Sequence, residues 1–297
     1  MEHIVDTFAN GIKNLIKNPV LFVPVTLLSI LIFVITVPIT LFIADLITSG
    51  IALNLLTIIS VSSVFFILTL LLVAFFSAGL IGMIKEAVEK GKTRVSDFFS
   101  YGGKYTVRMF LSVVLLFILN GLALIFWIPL YNTYIKSGLT LTSIFYSFYD
   151  FFLSGNIEPF MEIISIFAVS MVIGLLLTFV YSLILTVLFY FVSYAIVIDG
   201  LPVIAAFKKS LSLLKQYPGK VIIFIIIVNG LVMAILQISE FFVMFFIFNV
   251  FLLLLGGFLY LLFALFINTA ALVWTARFYM AITEKELYVE EKLADSY

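Results

Sequence analysis

Residues 221–282 read VIIFIIIVNGLVMAILQISEFFVMFFIFNVFLLLLGGFLYLLFALFINTAALVWTARFYMAI. As one helix, at about 1.5 Å per residue, this run would reach roughly 90 Å, about three hydrocarbon cores of a bilayer. It must therefore turn. Glu240, Asn249 and the Gly256-Gly257 pair stand where a turn would fall. That predicts two spanning helices, TM5 at 221–240 and TM6 at 251–281.

Four more apolar blocks precede it: TM1 at 20–47, TM2 at 52–84, TM3 at 107–130 and TM4 at 160–198. The whole chain of 297 residues is 64% hydrophobic and only 11% charged, with mean hydropathy +1.30. Soluble domains carry roughly 25% charged residues, so lipid must be the solvent for most of this chain. The fold class is all-α: a polytopic integral membrane protein with six transmembrane helices. The first apolar run is too long for a signal-peptide core, and TM1 is expected to be retained. Pro24 and Pro38 are expected to bend it.

TM4 is too long for a simple crossing, about 60 Å if straight. Either it projects beyond the lipid or it breaks near Gly174. The stretch LTSIFYSFYDFFL before it is amphipathic. It predicts an outer helix at 139–153, lying at the membrane surface or on an extension of TM4.

Positive residues stay cytoplasmic in short loops. Lys13 and Lys17 precede TM1, and Lys85, Lys90, Lys92, Arg94, Lys104 and Arg108 stand around the TM2–TM3 link. Lys208, Lys209, Lys215 and Lys220 fill the TM4–TM5 link, and Arg277, Lys285 and Lys292 mark the end of TM6 and the tail at 283–297. Six spans put all four regions on one side and leave Lys136 alone opposite. The expected localisation is the cell membrane, multi-pass, with both termini cytoplasmic.

The basic links also carry helical periodicity. In 203–216, Ile204, Phe207, Leu211 and Leu214 define one apolar face between the breaks Gly200-Leu-Pro202 and Pro218-Gly219. FANGIKNLIKNP (8–19) follows the same plan as FKKSLSLLKQYP (207–218). It predicts an interfacial helix at 4–17 with Ile4, Phe8, Ile12 and Leu15 as its face. A third, at 94–106, uses Val95, Phe98, Phe99 and Tyr105, with Met109 beyond it, and is interrupted by Gly102-Gly103. The chain thus reads as three units, each an interfacial helix followed by a helical hairpin.

Two segments carry a resemblance. GLIGMIKEAVEKGKTRVSDFFSYGGKYTVRMF (79–110) and FVSYAIVIDGLPVIAAFKKSLSLLKQYP (191–218) resemble an uncharacterised group of archaeal and bacterial membrane proteins with about six spans. That group is akin to the membrane domain attached to some glycerophosphoryl diester phosphodiesterases. The resemblance implies this single membrane domain over 1–297. It lends no catalytic residue, since its signature is an amphipathic pattern and no segment here is long enough for the soluble phosphodiesterase domain.

Chemistry-bearing motifs are scarce. His3 is the sole histidine and cysteine is absent, which removes His triads and thiolate metal sites. GGKYT (102–106) lacks the upstream glycine of a phosphate loop. Asp199-Gly200 begins like the motif of membrane CDP-alcohol transferases, but the Arg, Gly and paired aspartates that should follow are missing. Asp199 reads as a helix stop. No enzyme, cofactor or metal is expected.

The polar residues inside the spans are the candidate site: Asn120, Asn229 and Asn268 near mid-depth, joined by Tyr181, Gln237 and Thr269. They serve either as interhelical hydrogen-bond glue or as the lining of a cavity. Lys13, Lys17, Lys104, Arg108, Lys208, Lys209, Lys215 and Lys220 are candidate contacts for anionic lipid. The leading functional expectation is a non-catalytic scaffold or partner subunit. The alternative is a transporter or lipid-handling protein with a mid-membrane polar cavity. Membrane lipids are the expected partners, together with a protein partner or a second copy, and no nucleic acid.

Overall fold

The computed structural model describes residues 4–48, 55–138, 157–245 and 250–288, together with Ser147, Tyr149 and Gly155. Its regular elements are ten α-helices with two 3₁₀ turns, and no strand occurs among the described residues. They are α1 Ile4–Lys17, α2 Phe22–Thr48, α3 Leu55–Lys90, α4 Val95–Gly121, α5 Ile128–Ser137, α6 Glu158–Phe189, α7 Val192–Ile198, α8 Val203–Gln216, α9 Pro218–Phe245 and α10 Val250–Ile282. Five helical stretches are long and apolar enough to cross a membrane, and six if α1 with the start of α2, bent by 90°, is taken as one span. The long run 221–282 resolves into α9 and α10. The outer helix expected at 139–153 lies almost wholly outside the described residues.

Helices occur over 4–17 and 203–216. The one expected at 94–106 does not stand apart. α4 runs from Val95 to Gly121 without a break at Gly102-Gly103. The reason is packing: a Cβ on Gly102 would stand 2.8 Å from the Phe75 ring. That glycine admits a neighbouring helix instead of ending its own.

TM4 is also corrected. α6 passes through Gly174 unbroken, and the interruption falls at Tyr190-Phe191, between α6 and α7. The Phe191 N–H there donates to Ser210 Oγ at 3.3 Å, so α8 supplies a partner at the break. TM1 carries Pro38 inside a continuous α2.

The chain divides into two compact units, Met1–Val113 with Phe189–Tyr297, and Val114–Leu188. In the second, Gly174 of α6 receives the Phe126 carbonyl and the Trp127 ring, each 3.4 Å from where a Cβ would stand. Trp127 Nε1 donates to Thr178 Oγ1 at 3.1 Å. The Thr133 and Ser170 hydroxyls meet at 3.0 Å, fastening α5 to α6.

In the first unit, α1, α4 and α8 bury matching positions at spacings of four and three. These are Thr7, Gly11 and Asn14 in α1, Phe98, Gly102 and Tyr105 in α4, and Ala206, Ser210 and Leu213 in α8. The middle position is small each time, because a neighbour comes close. A Cβ on Gly11 would lie 2.5 Å from the Trp274 ring of α10. Phe75 of α3 occupies that place for Gly102, and at Ser210 the backbone of Phe191 comes within hydrogen-bonding distance of the hydroxyl.

α4 and α8 therefore pack on the span just before them, as short linkers dictate, and α1 packs on α10. The apolar faces read from the sequence of α1 and α8 are buried only in part: Leu15 and Phe207 are buried, while the other positions are half-buried or exposed. Ile204, for example, is 59% exposed. Beneath α1, Phe8 meets Trp274 edge-on at 4.8 Å and stacks on Phe224 at 6.0 Å.

Candidate functional site

The ends of α1, α3, α7 and α10 meet in one layer. Each of the last three is followed by a residue at positive φ: Gly91 at 74°, Gly200 at 69° and Glu284 at 57°. That conformation turns the chain sharply after a helix and favours glycine. Side chains then bind the turns together. Asn18 Nδ2 donates to the Gly91 carbonyl at 3.1 Å, and Asn18 Oδ1 accepts the Thr93 N–H at 3.0 Å.

Arg108 reaches the Gly200 carbonyl at 2.6 Å. Asp199 accepts the Tyr279 hydroxyl at 2.5 Å, and Lys285 Nζ stands 2.8 Å from its other oxygen. The segment after α10 continues across this layer, where the Tyr288 N–H donates to the Val88 carbonyl at 2.8 Å. The fully buried Arg277 donates to the Tyr288 carbonyl. The regions assigned to one side by their Lys and Arg content thus come together. Asp199 is more than a helix stop, a role that its sequence neighbours do not betray.

Two cavities lie within the same unit. The polar one, about 310 Å³, has Asn229 of α9 facing Asn268 and Thr275 of α10, with Tyr190 and Tyr194 completing its hydrogen-bonding wall. The other, about 220 Å³, is lined almost wholly by carbon from Pro24, Val25, Leu28, Phe76, Leu80 and Ile81. Tyr194 and Leu272 belong to the walls of both. No charged side chain lines either cavity, and no cluster of metal-ligating residues occurs among the described residues.

The asparagines do not bridge helices as glue inside this cavity. Asn229 Nδ2 donates to Ile225 O at 2.8 Å, and Asn268 Nδ2 donates to Ala264 O at 2.7 Å, both within their own helices. Each amide thus keeps a carbonyl oxygen and a second N–H with no partner among the described residues. Tyr190 and Thr275 share a 3.4 Å contact between hydroxyls. The arrangement can hydrogen-bond a neutral polar group.

The remaining site candidates sit elsewhere. Asn120 and Tyr181 belong to the second unit. There Asn120 bonds Leu116 O and meets Ser182 Oγ at 3.5 Å, while the Tyr181 hydroxyl donates to Leu119 O at 2.8 Å. Gln237 bonds Glu240 at 3.3 Å, two turns or more beyond Asn229 along α9. Thr269 is buried and bonds Leu265 O. Tyr190, Tyr194 and Thr275 were not singled out by the sequence. Their spacing against Asn229 and Asn268 emerges only when α7 and the turn before it meet α9 and α10.

Among the basic residues, Lys17 lies 5.7 Å from the Tyr288 ring, Lys104 5.2 Å from the Tyr105 ring and Lys220 6.0 Å from the Tyr217 ring. Arg108 also covers Tyr105 at 5.8 Å. Lys13, Lys208 and Lys215 are exposed, and Lys209 is half-buried.

Long apolar helices around a cavity of this kind define a polytopic α-helical membrane protein. The chain belongs to the family described as domain of unknown function DUF7847, whose model matches residues 3–217. No curated protein and no solved structure matches it, and the family match carries no link to glycerophosphoryl diester phosphodiesterases. The matched stretch stops at the end of α8, so Asn229, Asn268 and Thr275 lie beyond it.

Proposed function

We propose that the protein is a non-catalytic, multi-pass protein of the cell membrane that holds a lipid-like ligand within its helices. It would serve as a lipid-handling or transport protein, with both termini cytoplasmic. The observation that carries this reading is the cavity shared by Asn229 and Asn268. A polar group left without a partner in an apolar medium costs roughly 2–7 kcal/mol. Two amide oxygens facing one cavity at membrane depth therefore favour an occupant that brings donors to both.

A path through all three asparagines is no part of the proposal, and the absence of charge in the cavity lining argues against strong coupling to ions. The half-exposed apolar stripes of α1 and α8 are placed to dip into the bilayer surface, with the lysine ammonium groups left in water. Kinship with the phosphodiesterase-associated membrane domain, and an archaeal or bacterial origin, belong to the same reading.

A second reading is a scaffold that binds a protein partner or another copy of itself. It is favoured by the layer knitted by Asn18, Arg108 and Lys285, which would give a partner a firm platform. Neither reading involves nucleic acid.

Native mass spectrometry of the protein released from nanodiscs separates the two. The lipid-handling reading expects a bound small molecule that is lost from the N229L/N268L variant. A wild-type protein that carries no such molecule, or a variant that retains it, defeats the reading.

A further inference from the structure

We infer that the ligand is an uncharged single-chain amphiphile, with its hydroxyl or amide head between Asn229 and Asn268 and its chain in the adjoining apolar cavity. The inference rests on the cavity reading above and specifies the class of molecule. Three observations carry it. Tyr194 and Leu272 stand in the walls of both cavities; one is an open cleft that carries the polar side chains of Asn229, Asn268 and Thr275, and the other is almost wholly carbon-lined. A molecule that fills both must have a polar end and an apolar end.

The head must be neutral. Among the described residues no Lys, Arg, Asp or Glu lines either cavity, and an ion taken from water into such a place without a counter-charge is strongly disfavoured. It must also form hydrogen bonds, because each amide gives one N–H to its own helix, at Ile225 O and Ala264 O, and keeps a second N–H and a carbonyl oxygen, a set that a hydroxyl or amide head matches. Ordinary phospholipids fail on charge.

Size suits one chain rather than two. The cavities measure about 220 and 310 Å³. Together they fall within the roughly 300–1,000 Å³ of ordinary small-molecule sites.

The test compares the chains of the molecules extracted from purified wild-type protein with those from L28F and L28A. Leu28 lines only the apolar cavity. L28F should select chains shorter by about one to two methylenes, since close-packed interiors register volume changes of that size, with the head unchanged. L28A should shift the distribution the other way.

If L28F does not fold, L28A alone carries the test. Identical chain distributions in the variants, or a charged or two-chain lipid as the bound species, overturn the assignment while leaving a lipid-handling role standing. A wild-type protein with nothing bound overturns both.

Discussion

Replacing Gly102 and Gly103 singly by alanine should move stability in opposite directions. Both are interior positions of α4, where exchanging glycine for alanine gains about 0.5–1 kcal/mol of helix propensity. At Gly103 nothing lies within 4 Å of the new Cβ, so that gain survives. At Gly102 the Cβ would meet the Phe75 ring at 2.8 Å, where ordinary contact begins at 3.4 Å. Phe75 has little room to retreat, since its ring stands 5.4 Å from Phe98 and 5.9 Å from Phe76.

Overpacking of this kind costs about 1–3 kcal/mol, which leaves G102A destabilised by about 0.5–2 kcal/mol. At roughly 2–4 °C per kcal/mol the two variants should separate by several degrees in Tm. The assay is thermal unfolding in detergent, followed by fluorescence-detected size exclusion. If G103A falls as far as G102A, the glycine pair is a true interruption of α4 and the packing argument is wrong.

Further outcomes follow from the layer at the helix ends. Asn18→Ala removes two long-range hydrogen bonds to the 91–93 turn and should cost about 1–3 kcal/mol. Faster amide hydrogen exchange at Thr93 would report it. Tyr279→Phe removes a buried donor to Asp199 and should cost about 1 kcal/mol. Lys285→Gln removes a partly exposed ion pair worth about 0–1 kcal/mol, so Y279F should lower Tm by at least as much. Changing Lys208, Lys209 and Lys215 together to Gln should leave binding to anionic-lipid nanodiscs essentially unchanged, because topology rather than headgroup recognition accounts for them. A clear loss of binding would assign them a specific site.

The sequence reads the existence and bounds of α1 and α8 well, because proline and glycine bracket them and their apolar period is clean. It reads the buried face only in part. Leu15 and Phe207 are buried, but a protein solvated by lipid gains little by hiding Ile204. Close packing goes instead to small residues, such as Gly11 and Ser210, that let another element approach. Reading small residues rather than large ones would have found the buried face.

The same argument explains the glycines in the spans. Gly102 and Gly174 looked like breaks and are contact points. The true break at Tyr190-Phe191 depends on Ser210, nineteen positions away in the sequence, and no local pattern announces it. Asn229 and Asn268 were legible as costly polar groups. That these two share one cavity was not, since depth along a helix says nothing about which way a side chain faces.

The most direct measurement is a high-resolution structure of the purified protein in nanodiscs of its native lipids. The account expects elongated non-protein density that contacts the amide oxygens of Asn229 and Asn268 and passes Tyr194 towards Leu28. A cavity closed by side chains, or the two asparagines paired with other protein groups, would contradict it.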